Sequence, residues 1–470
     1  VVLERHLEAA PPADLALWSL RGVAVLDPRF AARRQGNELQ LLLDDRIIAR
    51  APPPAAPRTP QENGGSAVAA TLTRFYEAAW AASPAVQRAG AERLIANGFD
   101  ELFNHLDPYS RYVTAAETRE ARERRVGQSG LGLRVAARGP HLVMVSITRG
   151  GPAAAAGLRP GDRLVAVDDQ AVDGSDPGRA ATLLEGPEES EVTLTLLRAG
   201  RSREVTLRRE LVVPETVQAE WREGILWVRV SGFSTVTDRR LAQVLVDGFA
   251  GRSPRGVVLD LRGNRGGLLG NAIAVADAFL AEGEVARTEG RHPDANRSYE
   301  AGGQDLARGR PVVVLVDGRT ASAAEIVAAG LMERGRAVVV GSATTGKGLI
   351  QLVAPLPNEA ELLVSWSRVV SPAGWPIQGL GVLPALCTSL GPEALARALS
   401  QLNRGEAPMG AALTRQRAAR APVLASEVTA LRGACPPAEG RSADLTAARA
   451  LIDSPSGYRT ALGSLTATPP

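Results

Sequence analysis

Pro311-Val312-Val313-Val314-Leu315-Val316-Asp317-Gly318-Arg319-Thr320-Ala321-Ser322-Ala323-Ala324-Glu325-Ile326 decides how this chain folds. A β-branched run between Pro311 and Asp317-Gly318 reads as a buried strand. The alanine-rich segment 323–333 after it reads as a helix. The same strand–turn–helix unit occurs twice upstream, as strand 225–230 with helix 238–249 and strand 256–261 with helix 268–279. Continuous apolar strands alternating with helices predict an α/β layer fold around a largely buried sheet. Two further strand-like runs, 349–353 and 361–366, follow the third helix.

Outward from this unit of 212–386 the pattern changes. Residues 127–211 hold short β-like runs (142–147, 163–167, 192–197), many turn signals and one short helix near 178–184, a small mostly-β module. Residues 61–126 follow helical spacing, with Leu72, Phe75, Tyr76 and Ala79 on one face and a second helix over 84–98. Residues 1–60 form an extension in which Leu39-Gln40-Leu41-Leu42-Leu43 fits strand or helix, ending in the proline-rich linker Ala51-Pro52-Pro53-Pro54-Ala55-Ala56-Pro57. Residues 387–470 read as a helical C-terminal extension with a loose tail, Thr466-Ala467-Thr468-Pro469-Pro470.

A net charge of +3 over 470 residues, with no basic block among aromatics, gives no ground for a nucleic-acid partner. No apolar run reaches the roughly 18 residues of a membrane span. The opening Val1-Val2-Leu3-Glu4 has no methionine or basic-then-apolar leader, so a processed or trimmed form is expected. Cys387 and Cys435 are the only cysteines; two free buried thiols and a disulfide both fit.

Of 54 basic side chains, Lys347 alone is a lysine. A desolvated lysine can lose its proton, which arginine cannot. Gly341-Ser342-Ala343-Thr344-Thr345-Gly346-Lys347 fits the start of a phosphate-binding loop, but Gly348 stands where Ser or Thr should hold magnesium and a strand follows instead of a helix. A nucleotide site is therefore rejected. Ser322, at the mouth of a helix, has free N–H groups beside it and only small neighbours, Ala321, Ala323 and Ala324. A plain N-cap also explains a serine there, but not the small neighbours. None of His6, His105, His141 and His292 lies in a plausible site loop, which leaves Lys347 as the base for Ser322. That role needs burial without a carboxylate nearby, and no acid lies close to Lys347 in sequence. In Asp260-Leu261-Arg262-Gly263-Asn264-Arg265-Gly266-Gly267 the glycines let backbone N–H groups face a cavity.

Three motifs together, Asp-Leu-Arg-x-Asn-x-Gly-Gly, Ala-Ser-Ala-x-Glu-Ile and Gly-Lys-Gly-x-x-Gln, resemble those of the carboxyl-terminal processing (tail-specific) proteases, Ser/Lys peptidases with an embedded PDZ domain. Leu106-Asp107-Pro108-Tyr109-Ser110, Ser371-Pro372-Ala373-Gly374 and Ile377-Gln378-Gly379 add to the likeness, which spans roughly 66–386. The resemblance implies a multidomain α/β protease core, a mixed sheet with helices, with a PDZ domain at 127–211 and helical terminal regions. It implies Ser322 as nucleophile, Lys347 as base, Gln351 orienting the lysine, and the N–H groups of Gly267 and Ala323 as oxyanion donors. Gly130-Leu131-Gly132-Leu133 is similar to the PDZ loop that captures a terminal carboxylate while the peptide adds as a strand, with Arg134 nearby. Two departures are Ala324, where the family often has serine, and Leu380, where it often has lysine.

The expected activity is a serine endopeptidase that recognises free, apolar protein C-termini and cleaves through an acyl-enzyme, with no cofactor or metal, in an extracytoplasmic, periplasmic setting. An activating adaptor and self-association stay open. The rival is a non-catalytic or partner-gated PDZ scaffold of the same fold.

Overall fold

The computed structural model describes residues 1–55 and 64–463, so the end of the proline-rich linker and the tail Thr466–Pro470 lie outside the described residues. Its centre is a six-stranded sheet in the order Val217–Arg222, Ile225–Val230, Gly256–Asp260, Val312–Val316, Val338–Gly341, Leu386–Cys387. The first pair is antiparallel and all later pairs are parallel. Every residue of Gly256–Asp260 and Val312–Val316 is buried, as parallel strands covered on both faces require. The helices Thr237–Phe249, Leu269–Asp277 and Ala323–Glu333 cover this sheet and share its core.

The strand-like runs after the third helix form a second, antiparallel sheet, Arg297–Ala301, Gly283–Glu289, Glu361–Val370, Leu349–Pro355. Arg111–Val113 also pairs with Glu361–Val370. The segment expected to be helical before the β module thus supplies a strand to the sheet that carries Lys347. The expected helix over 84–98 is broken at Gly90 into Pro84–Ala89 and Ala91–Asn104.

The mostly-β module is a five-strand path, Arg201–Arg208, Glu191–Arg198, Arg163–Val167, His141–Ile147, Leu133–Arg138, with its own core. Its helix Pro177–Leu184 sits where expected, and a second short helix, Pro152–Ala155, corrects the expectation of a single one. Gln128–Gly130 pairs with Glu210–Val212, so the chain enters and leaves side by side. At the N-terminus, Leu39–Leu43 falls on the middle strand of an antiparallel sheet, Phe30–Gln35, Glu38–Leu43, Arg46–Ala51, which packs on helices Pro12–Arg21 and Gly64–Ala82.

The C-terminal extension completes the central core. Helix Ala443–Asp453 packs on the strands Val312–Val316 and Val338–Gly341, and the Tyr458 hydroxyl bonds both the N–H (2.9 Å) and the carbonyl (3.0 Å) of Val312. Cys387 and Cys435 are joined in a disulfide across a separation of 48 residues. Closing a loop of that length stabilises by about 4 kcal/mol in the chain-entropy account. The double variant Cys387→Ser, Cys435→Ser is therefore expected to lose about that much unfolding free energy in urea; an unchanged midpoint would contradict this account.

Candidate active site

The turn before Ser322 is fixed by one carboxylate. Asp317 Oδ1 accepts the N–H groups of Gly263 (2.9 Å), Arg319 (3.0 Å) and Thr320 (3.0 Å). Thr320 Oγ1 donates to the Leu261 carbonyl at 3.0 Å and Ala321 N–H to the Asn264 carbonyl at 2.9 Å. These bonds stitch the serine turn to the glycine turn. Ser322 itself has φ +58° and ψ −122°, at the N-cap of Ala323–Glu333. Such a conformation costs a non-glycine residue about 1–3 kcal/mol and persists only where its surroundings enforce it.

Gly266 and Gly267 lie against this serine. A Cβ on Gly266 would sit 2.9 Å from Ser322 Cβ and 3.1 Å from the Ala323 nitrogen. Gly267 has φ +147°, and a Cβ there would lie 2.2 Å from the Phe233 carbonyl oxygen. Phe233 clamps the turn, donating to the Gly266 carbonyl (3.2 Å) and accepting from Leu268 N–H (2.9 Å). The N–H groups of Gly267 and Ala323 donate to no group among the described residues.

Lys347 ends a loop that leads into the strand Leu349–Pro355. That loop is tied to the serine turn by Glu325, which is fully buried. Glu325 Oε2 accepts from the N–H of Ser322 (2.8 Å) and of Lys347 (2.9 Å). Its Oε1 accepts from Gly346 N–H (2.7 Å) and from the Thr344 hydroxyl. Thr345 N–H donates to the Thr320 carbonyl at 3.0 Å. Behind the loop, Arg432 from the C-terminal helices donates to the carbonyls of Thr344 (2.7 Å) and Leu380 (3.2 Å).

The expectation that no carboxylate lies near Lys347 is thus corrected, because the acid is distant in sequence but adjacent in space. Burial pushes the Glu325 carboxyl up from its ordinary value, against the pull of its four donors. The Lys347 ammonium is pushed down, first by burial and then by the Arg111 guanidinium, with Glu325 opposing. Its Nζ lies 5.3 Å from the centre of the Tyr109 ring. It makes no hydrogen bond or ion pair among the described residues.

Gln351 is not on the lysine. Its amide donates to the Leu349 carbonyl (3.1 Å) and to Ser365 Oγ (3.2 Å). Ser365 Oγ in turn donates to Asp107 Oδ1 at 2.8 Å, and Asp107 Oδ2 meets His6 Nε2 at 2.9 Å. The Asp107 carboxyl is held well below the usual carboxylate range by these hydrogen bonds, which outweigh its burial. Leu106-Asp107-Pro108-Tyr109-Ser110 therefore touches both Lys347 and the partner of Gln351. The motif is legible in the sequence, but its role is not, because both partners are distant along the chain.

Gly130, Leu131, Gly132 and Leu133 line a cavity of about 830 Å³ in the β module, between the open edge of Leu133–Arg138 and the helix Pro177–Leu184. Arg134 lines it too. The N–H groups of Leu131 and Gly132 donate to no group among the described residues, while their carbonyls accept from Ala153 (2.9 Å) and Thr148 (2.7 Å).

A serine at a strand-to-helix turn of an α/β core, joined to a module with an open strand edge, is the build of a serine peptidase with a peptide-binding domain. Residues 224–386 match the model of peptidase family S41, and 143–198 match that of the PDZ domain. A carboxy-terminal-processing protease of Bartonella bacilliformis is 33% identical over 300 residues, covering 62% of this chain and 69% of that one. The carboxyl-terminal-processing protease of Synechocystis is 32% identical over 296 residues, covering 61% and 69%. A solved photosystem II D1 C-terminal processing protease is 25% identical with TM-score 0.40, covering 82% of this chain and 97% of that one. The chain belongs to peptidase family S41, among the carboxy-terminal-processing serine proteases that carry a PDZ domain.

Proposed function

We propose that this enzyme binds free, apolar protein C-termini in the groove beside Gly130–Leu133 and cleaves upstream with Ser322 as nucleophile and Lys347 as base. The observation that carries this reading is the single oxygen, Glu325 Oε2, that receives the N–H groups of both Ser322 and Lys347. Neutral Lys347 takes the Ser322 Oγ proton as Oγ attacks the carbonyl carbon. The N–H groups of Gly267 and Ala323, which donate to no group among the described residues, receive the oxyanion. Lys347 then gives its proton to the leaving amine, and water hydrolyses the acyl-enzyme.

In this reading residues 127–211 recognise and 212–386 cut, with the C-terminal helix Ala443–Asp453 packed on the cutting core. Gln351 orients Lys347 once it leaves Ser365. Its present engagement, together with a lysine ammonium that makes no hydrogen bond or ion pair among the described residues, favours a gated enzyme at rest over a permanently active one. The Cys387–Cys435 bond supports an extracytoplasmic setting. No helix among the described residues is long and apolar enough to cross a membrane.

The test is proteolysis of an unstructured protein ending in small apolar residues, beside the same substrate amidated at its C-terminus. Amidation is expected to raise KM more than it lowers kcat; equal cleavage of both would remove the carboxylate from the reading. The acid limb of kcat/KM should fall below the ordinary lysine value of 10.5, because burial lowers the proton affinity of Lys347. Arg111→Ala should move that limb to higher pH, since a neighbouring positive charge is lost. An unmoved limb would remove Arg111 from the account.

A further inference from the structure

Ser365 stands opposite Gln351 on the antiparallel pair Leu349–Pro355 and Glu361–Val370, whose register shifts between Ile350 and Gln351. Such a bulge re-aims the side chains beside it. Ser365 is fully buried, and each of its polar atoms is engaged. Its N–H donates to Ser110 Oγ at 2.9 Å, and its carbonyl accepts from Leu7 N–H at 2.8 Å. A serine hydroxyl has one hydrogen to give, and here Asp107 Oδ1 takes it at 2.8 Å. Towards Gln351 the oxygen can then only accept, and it does so from the side-chain amide at 3.2 Å. The other hydrogen of that amide goes to the Leu349 carbonyl at 3.1 Å.

The anchor of this arrangement lies in residues 3–7. His6 is buried and sets Nε2 against Asp107 Oδ2 at 2.9 Å. Arg291 holds the same segment from another side, donating to the carbonyls of His6 (3.1 Å) and Leu3 (2.7 Å). His6 and Leu7 thus fix Asp107 and Ser365 against each other across 258 residues of sequence.

We infer that Ser365, oriented by Asp107 and His6, is a positioning residue that keeps the Gln351 amide off Lys347 and so limits turnover. The inference deepens the Ser322–Lys347 reading and rests on Gln351 serving the lysine. A side chain with two places divides its time according to their difference in free energy. Removing one hydrogen bond from the resting place shifts that division roughly 2- to 12-fold. Ser365→Ala is the smallest change that does so. It keeps both backbone bonds, and Asp107 keeps the N–H groups of Tyr109 (2.8 Å) and Ser110 (2.9 Å), the Ser110 hydroxyl and His6.

The test measures kcat and KM of the full chain on the unstructured substrate with a free apolar C-terminus. Ser365→Ala is expected to raise kcat roughly 2- to 12-fold with KM unchanged. Gln351→Ala should lower kcat, and Ser365→Ala added to it should bring no rise, because no amide is left to release. A role confined to packing would give neither result. His6→Ala should raise kcat less than Ser365→Ala and add nothing to it, since it acts through the same hydroxyl. A Ser365→Ala enzyme that melts cooperatively yet has kcat at or below wild type overturns the proposal, as does a rise that persists without Gln351. If Ser365→Ala does not fold, His6→Ala decides, and an unchanged or lower kcat there overturns it. Wild-type kcat in Gln351→Ala removes the glutamine from the reading of the site, and this inference with it. Absence of cleavage by the wild type and every variant removes the cleavage reading and the inference together.

Discussion

Lys347→Arg is expected to lower kcat/KM by on the order of 10⁴-fold or more, with the fold intact. The guanidinium keeps a positive charge in the same place but cannot give up its proton at working pH, so it cannot deprotonate Ser322. Lys347→Met makes the complementary case. It should be equally inactive, yet more resistant to heat than the wild type at neutral pH. The folded state lowers the proton affinity of Lys347, so the charged lysine favours unfolding. That penalty is full below the folded value, fades as pH rises toward 10.5, and is absent above it. The Tm gap between Lys347→Met and wild type should therefore close as the pH is raised. Activity retained by Lys347→Arg would remove the lysine from the chemistry altogether.

The second large effect is expected at Glu325. Glu325→Ala leaves the buried N–H of Gly346, the buried hydroxyl of Thr344 and the half-buried N–H groups of Ser322 and Lys347 without their acceptor. At about 1–3 kcal/mol for each unsatisfied buried donor, the loss of stability should reach at least about 3 kcal/mol. The catalytic effect is separable, because these donors set the spacing of the two loops. A displacement of about 1 Å between reacting groups costs roughly 10²-fold, so kcat should fall by at least that factor in the fraction that stays folded. KM should change little, since the PDZ groove is untouched. Glu325→Gln retains one acceptor oxygen and presents an amide to the remaining donors, so an intermediate loss is expected. A Glu325→Ala enzyme with wild-type kcat, assayed well below its Tm, would reduce the carboxylate to a packing role.

These two residues mark what the sequence could and could not reveal. The alternation of β-branched runs with alanine-rich helices is a local signal, and it placed the helix Ala323–Glu333 at its observed bounds. The oddity of a lone lysine is also readable without coordinates. The role of Glu325 is not, because its four donors come from 322, 344, 346 and 347, brought together only by folding. The same holds for Arg432, whose hydrogen bonds reach back to Thr344 and Leu380 from a region that composition described only as helical. Gln351 shows the opposite limit. The family resemblance put it on Lys347, but its amide follows the hydroxyl of Ser365, a neighbour across the strand pair. In 111–113 the local pattern was overridden by pairing with a strand some 250 residues later.

The chain's near-total replacement of lysine by arginine has a practical consequence. Acylating reagents that ignore guanidinium groups find one side-chain amine in this sequence, that of Lys347, whose loop Glu325 ties to the serine turn. The rate at which a small activated ester modifies it, followed against pH, reads the fraction of that nitrogen that is unprotonated. Surface labelling that would blur such a titration in most proteins is limited here to the chain's α-amine.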